Sequence, residues 1–224
     1  MGHLEQLRIA VVVLALLLSI TSSRAQSKYF GVSGGLVSNV IGGSEAEFQK
    51  RYYLNKMSHR TGPAFSLLLK RELSSLAYFK GEASYVRRGN RSSYTVLWNM
   101  NLEYLSLPLK IGIQPLSFRK IAIGFEGGAS INYMPGHALD NIKTAYSPAN
   151  NVKVSRWGVS LLGGANFEYR ISQRRFVFLN STWYRDITPL LYYETGNAGY
   201  RAEHRGWLIT VGVMNRLGNY KSKF

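Results

Sequence analysis

Hydrophobic and polar side chains alternate with a period of two along most of the chain beyond Lys28, and no window of helical length there holds a 3.6-residue period. The alternation is plainest over 156–170. Trp157, Val159, Leu161, Gly163, Ala165, Phe167 and Tyr169 share one face, and Gly158, Ser160, Leu162, Gly164, Asn166, Glu168 and Arg170 share the other. Over 102–114 the leucines and isoleucines at 105, 107, 109, 111 and 113 oppose Tyr104, Ser106, Pro108, Lys110 and Gly112. The same pattern predicts strands over 28–37, 62–70, 76–88, 120–133, 176–185 and 205–217, which makes eight strands in all.

The connections carry a second pattern. Segments 38–61, 89–101, 134–155 and 186–204 are long, whereas 71–75, 115–119 and 171–175 are short. An up-and-down order then puts every long loop on one rim and every short turn, with both termini, on the other. Outer-membrane barrels are built this way. Parity alone does not say which face points outward, since a soluble lipocalin-type barrel turns its apolar face inward around a ligand. Small residues on the polar face (Gly31, Ser33, Gly35, Ser66, Ser84, Ser106, Gly128, Ser130, Gly164, Gly212) suit a narrow interior. Aromatic residues on the apolar face gather towards strand ends: Phe30, Phe79 and Tyr169 at the short-turn rim, and Phe65, Tyr133, Trp157, Trp183 and Trp207 at the loop rim. Such belts mark lipid–water interfaces. The expected fold is all-β, an eight-stranded antiparallel up-and-down transmembrane β-barrel.

The first 25 residues fall outside the alternation. Arg8 precedes the apolar run IAVVVLALLLSI, and Ser23-Arg24-Ala25 puts small residues at the two positions read by signal peptidase. Twelve apolar residues are too few to span a bilayer. Residues 1–25 are expected to be a signal peptide cleaved after Ala25, and 26–224 the barrel domain. The chain has no cysteine, which excludes disulfides, Cys-ligated metals and thiol chemistry. Its net charge of +16, reduced by one on loss of Arg8, Arg24 and Glu5, would ordinarily point to nucleic acid. Export and the placement of the charge argue against that partner. Both rims are basic around a nearly neutral middle, so bilayer headgroups, including lipid A phosphates, are the expected counterions.

Candidate chemistry is sparse. On the inward face Lys80, Glu82, Lys110 and Glu126 fall at similar heights, with Glu168 lower, which reads as a salt-bridged structural plug. An eight-stranded interior is just filled by side chains. His59, His137 and His204 are assigned to loops on the extracellular rim, near Ser58, Asp140 and Ser147, and would serve an outer-leaflet lipid A-modifying enzyme or rim hydrolase. No G-x-S-x-G or metal-spaced His pair supports catalysis, so no catalytic residue, metal or cofactor is expected. Pro108, in mid-strand, calls for a bulge.

The run Tyr104-Leu105-Ser106-Leu107-Pro108-Leu109-Lys110 resembles the Y-L-x-[IL]-P-L stretch of the PorT-like outer-membrane β-barrel family of Bacteroidetes-type bacteria. The opening Phe30, Gly31, Val32, Gly34 and Gly35, the strand Gly124-Phe125-Glu126-Gly127-Gly128 and the terminal Phe224 are similar too. The resemblance implies an eight-stranded outer-membrane barrel over 26–224, with Phe224 as a signal read by the barrel-assembly machinery. The family's namesake is implicated in type IX secretion, so secretion or envelope proteins are further candidate partners. A barrel scaffold does not itself carry a function. The expectation is a non-enzymatic anchor, secretion-associated factor or surface-binding module acting through its loops. A soluble periplasmic ligand-binding barrel is the other reading.

Overall fold

Period-two alternation becomes a closed ladder of hydrogen bonds. The computed structural model describes residues 27–53, 57–92, 100–135, 153–195 and 198–218. Its elements are β1 Lys28–Gly42, α1 Ser44–Tyr53, β2 Met57–Glu72, β3 Ala77–Ser92, β4 Met100–Phe118, β5 Ile121–Tyr133, β6 Lys153–Val154, β7 Trp157–Arg170, β8 Arg175–Asp186, β9 Leu191–Thr195 and β10 Ala198–Leu217. Eight of the strands run in the order β1-β2-β3-β4-β5-β7-β8-β10, all antiparallel, and β10 pairs back onto β1 to close the ring. Residues 1–25, expected to be a signal peptide, and His137, Asp140, Ser147 and Phe224 lie outside the described residues.

The register fixes the shape of the barrel. From Phe167 on β7, the pairing passes through Leu179, Val211, Gly34, Phe65, Tyr85, Leu105 and Tyr133, then returns to β7 at Trp157. The ladder is therefore staggered by about 10 residues per circuit, which for eight strands corresponds to a tilt of roughly 40° and an advance of about 2.5 Å per residue along the axis. An apolar band of about 25 Å needs only about 10 residues per strand at that tilt. Most of the strands are longer, so they run on past the membrane.

That surplus length accounts for most departures from the expected elements. The β10 strand begins at Ala198 rather than 205, and β1 continues to Gly42, pairing Ile41 with His204 and Val40 with Arg205. His204 is therefore a strand residue facing the lumen, not a loop residue. Beyond the rim, the start of β10 pairs with β9, and β9 with β6, in a small extension of the sheet. The segment between β1 and β2 holds α1, a helix where the sequence pattern predicts only a loop. Ser44 and the acidic Glu45 and Glu47 stand in its first turn, and Lys50 and Arg51 in its last, a charge order that favours a helix. Gly43 precedes it at φ +91°, where a Cβ would lie 2.5 Å from the Arg201 carbonyl oxygen.

Pro108 is accommodated without the expected bulge. The β3–β4 ladder is interrupted between the pairs Gly81–Leu109 and Ser84–Ser106, yet the register is the same on both sides. The side lacking an N–H thus faces β3, while the pairing of Pro108 with Ser130 on β5 is intact. Two residue pairs, Glu82–Pro108 and Ala83–Leu107, drop out of the β3–β4 ladder. Register shifts occur instead between His59 and Ala64 on β2 and between Ile113 and Leu116 on β4.

Candidate functional site

The two faces of the wall differ as lipid and lumen do. Among the described residues 29 large apolar side chains are exposed, including Leu36, Leu69, Leu107 and Ile111 along the wall. A protein dissolved in water rarely bares so large a continuous apolar surface. The outward aromatics cluster in register. Trp183 on β8 is directly opposite Trp207 on β10, and the rings of Tyr133 and Trp157 lie 4.7 Å apart across β5 and β7. Phe30, Phe65 and Tyr169 are exposed and Phe79 is half-buried; Phe65 lies against the bare backbone of Gly34.

Inside, side chains fill the barrel in layers. At the short-turn end Tyr29, Leu68, Phe176, Phe178 and Met214 pack together. Beside them Lys70 reaches across the lumen to Glu168 at 2.5 Å, with its ammonium 4.2 Å from the centre of the Tyr78 ring, and Asn166 donates to the same carboxylate at 2.6 Å. Next come Lys80, Glu82, Lys110 and Glu126. The Glu126 carboxylate pairs with Lys80 through one oxygen and with Lys110 through the other at 2.8 Å, and it also accepts from the Tyr78 hydroxyl at 3.3 Å. Glu82 lies 3.0 Å from Lys110 and 3.6 Å from Lys80. Two cations and two carboxylates thus alternate around a closed, buried square.

Nearer the loop rim is a second network that the sequence reading did not single out. Arg88 contacts Asp186 at 3.3 Å and donates to Asn132 at 3.3 Å, and its guanidinium stacks 4.4 Å from the Tyr184 ring centre. Ser160 donates to Asp186 at 2.6 Å, and Asn132 accepts from Ser106 and Ser130. His204, fully buried, completes the network. Asn39 clamps the Gly89 backbone, donating to its carbonyl and accepting from its N–H at 3.1 Å. This orientation leaves the other Asn39 amide hydrogen for His204 Nδ1 at 3.2 Å. Nδ1 therefore accepts, and Nε2–H is left to donate to the Tyr104 hydroxyl oxygen at 3.3 Å. An apolar lid of Ile41, Leu102, Met134, Leu190, Leu191 and Ala202 closes the top.

The buried charges balance. Lys70, Lys80, Arg88 and Lys110 face Glu82, Glu126, Glu168 and Asp186. Isolated charges at such depth would each cost several kcal/mol, which is why every one has a partner. The expected middle layer held only the two lysines and three glutamates of the plug. Lys70, Arg88 and Asp186 stand at or beyond the expected strand ends, but their parity turns them inward. The +16 of the whole chain thus lies outside the described interior. Between Lys70, Lys80, Glu168 and Phe178 no space admits a water molecule, so the described lumen is packed shut at this level.

The two described histidines, His59 and His204, do not converge. His59 lies exposed on β2, its Nδ1 3.5 Å from Ser38 Oγ at the limit of hydrogen bonding, and Ser58 donates to the Arg91 carbonyl. His204 is on the opposite side of the barrel wall. Among the described residues no three His, Asp or Glu side chains group at metal-binding distance.

No family profile matches the chain, and no curated protein matches it. Solved structures do. The chain is similar to the outer-membrane protein OprG of Pseudomonas aeruginosa, with a TM-score of 0.53 at 11% identity, covering 87% of this chain and 98% of that one. It is also similar to the outer-membrane protein AlkL, solved in DMPC lipid bilayers, with a TM-score of 0.51 at 10% identity, covering 91% and 96%. At such identities the likeness is one of fold. Closed ring, stagger, apolar wall and neighbours agree: this is an eight-stranded β-barrel of the outer-membrane type.

Proposed function

We propose that the protein is a sealed, non-enzymatic outer-membrane barrel that works as an anchor or surface-binding module through its extracellular loops. The observation that carries this reading is the filled lumen: three apolar clusters and eight mutually neutralised charges occupy the described interior, which leaves the outer surfaces to meet a partner. The basic rims sit on headgroups at both faces of the bilayer, lipid A phosphates outside among them. The 1–25 segment directs export, and Phe224 is read by the barrel-assembly machinery. The likeness of 104–110 to PorT-like barrels makes secretion or envelope proteins reasonable partners. The test compares a deletion strain with one carrying the barrel shortened between 136 and 152, scoring surface proteins, secreted proteins and lipid A. The shortened barrel should reach the membrane yet behave as the deletion does, with lipid A unchanged in both. Full complementation by the shortened barrel would refute the loop-based role, and altered lipid A acylation in the deletion would replace it with an outer-leaflet enzyme.

A further inference from the structure

On the outer wall two residues above the Trp183–Trp207 pair, on the same face and again directly opposite each other, stand Arg185 on β8 and Arg205 on β10. Both are exposed. Opposed residues on an antiparallel pair hold their Cβ atoms about 5 Å apart, and like charges at that distance repel. The surroundings only partly relieve this. Glu203 reaches Arg185 at 3.4 Å, while the flanking strands offer Leu161 beside Arg185 and Val40 beside Arg205. Among the described residues no carboxylate pairs with Arg205. The Cα atoms of this arginine pair stand roughly 5 Å above those of the tryptophan pair, given the advance of about 2.5 Å per residue at this tilt, and the side chains splay upward, Arg205 over Gly42 of β1 and Arg185 towards Glu203, as an undercompensated cationic fork.

That spacing matches a lipid. Tryptophans settle where acyl chains meet headgroups, and the phosphates lie just above them. Planar guanidinium groups bind phosphate oxygens through paired charge-assisted hydrogen bonds. This rim carries the long loops and so faces outward, where the phosphorylated lipid is a glycolipid. We propose that Arg185 and Arg205, seated over Trp183 and Trp207, hold a phosphate of lipid A against the barrel wall. The proposal rests on the outer-membrane reading above and gives it a residue-level site.

The test uses the mature barrel folded in DMPC nanodiscs and titrated with bisphosphorylated lipid A, with dephosphorylated lipid A and with inorganic phosphate, bound lipid being counted by native mass spectrometry. The wild type should prefer the bisphosphorylated lipid at least about tenfold, as expected for charge-assisted bonds to two guanidiniums. Arg185→Gln with Arg205→Gln should abolish the preference, whereas Arg170→Gln with Arg175→Gln at the opposite rim should keep it. Equal binding of the dephosphorylated lipid, an unaffected double variant, or displacement by millimolar inorganic phosphate would each overturn the site. Fractionation of cells separates the two levels. A barrel absent from the outer membrane sinks the underlying reading, whereas one present there without lipid selectivity sinks only this site.

Discussion

Replacing Glu126 by Gln keeps the size of the side chain and removes one charge from the buried square. In the native lumen its carboxylate serves Lys80 and Lys110 together, with Tyr78 as a third donor. After the change Glu82 alone faces two ammonium groups, at 3.0 and 3.6 Å, and one positive charge is left over among buried side chains. Breaking a buried ion pair from one side costs about 3–5 kcal/mol, a large share of the roughly 5–15 kcal/mol that holds a domain together. The loss should appear as a lower urea midpoint with an unchanged slope, followed by tryptophan fluorescence in lipid vesicles. The double variant Lys80→Met with Glu126→Gln restores balance, because Lys110 keeps its 3.0 Å partner Glu82. It should recover most of the loss. Lys110→Met with Glu126→Gln leaves the looser 3.6 Å pair and should recover less. If Glu126→Gln stayed within about 1 kcal/mol of the wild type, or if removing Lys80 deepened the defect, the neutralised square would not be what stabilises this layer.

Three further outcomes are expected. Gly35 faces β10 so closely that a Cβ would lie 2.0 Å from the Ile209 carbonyl oxygen, so Gly35→Val should abolish the compact, heat-modifiable gel band, whereas Gly163→Val, with nothing within 4 Å of its Cβ, should leave that band in place. Asn39→Ala strips the buried Gly89 backbone of both side-chain partners and should destabilise by about 1–3 kcal/mol in the same urea assay, while nitrogen NMR of His204 loses its single Nε2–H tautomer. Pro108→Ala supplies the N–H missing on the β3 side. The bond gained and the chain freedom added to the unfolded state are each about 1 kcal/mol, so stability should change by less than about 1 kcal/mol; a larger loss would mean that the proline ring itself is needed in the lumen.

How far the sequence could be read follows from where its environment alternates. Within the bilayer each strand meets lipid on one face and a packed interior on the other, so 156–170 or 102–114 displays both surfaces in its parity. Above the bilayer the outward face meets water and the contrast vanishes. Arg87-Arg88 and Arg185-Asp186 are polar on both faces, so nothing in the local pattern marked Arg88 and Asp186 as lumen residues or His204 as a strand residue. Extending the parity of β10 upward from Met214 would have turned His204 inward. The brevity of α1 hid its period, although its acid-first, base-last order was present. The four-charge cluster was legible for a simpler reason: its members sit on strands joined consecutively, where pairing follows from chain order alone.

Where strands are added in chain order, that last distinction sets the order in which charges are neutralised. Lys110 and Glu126 are 16 residues apart, and with Lys80 and Glu82 they belong to the consecutive strands β3, β4 and β5, so this square closes within one meander. The bridges Lys70–Glu168 and Arg88–Asp186 each span 98 residues and join opposite walls. Until β7 and β8 arrive, a half-built sheet presents Lys70 and Arg88 with no counter-charge. A partial barrel therefore bears its own electrostatic penalty, and only the complete ring can leave water without stranded charge.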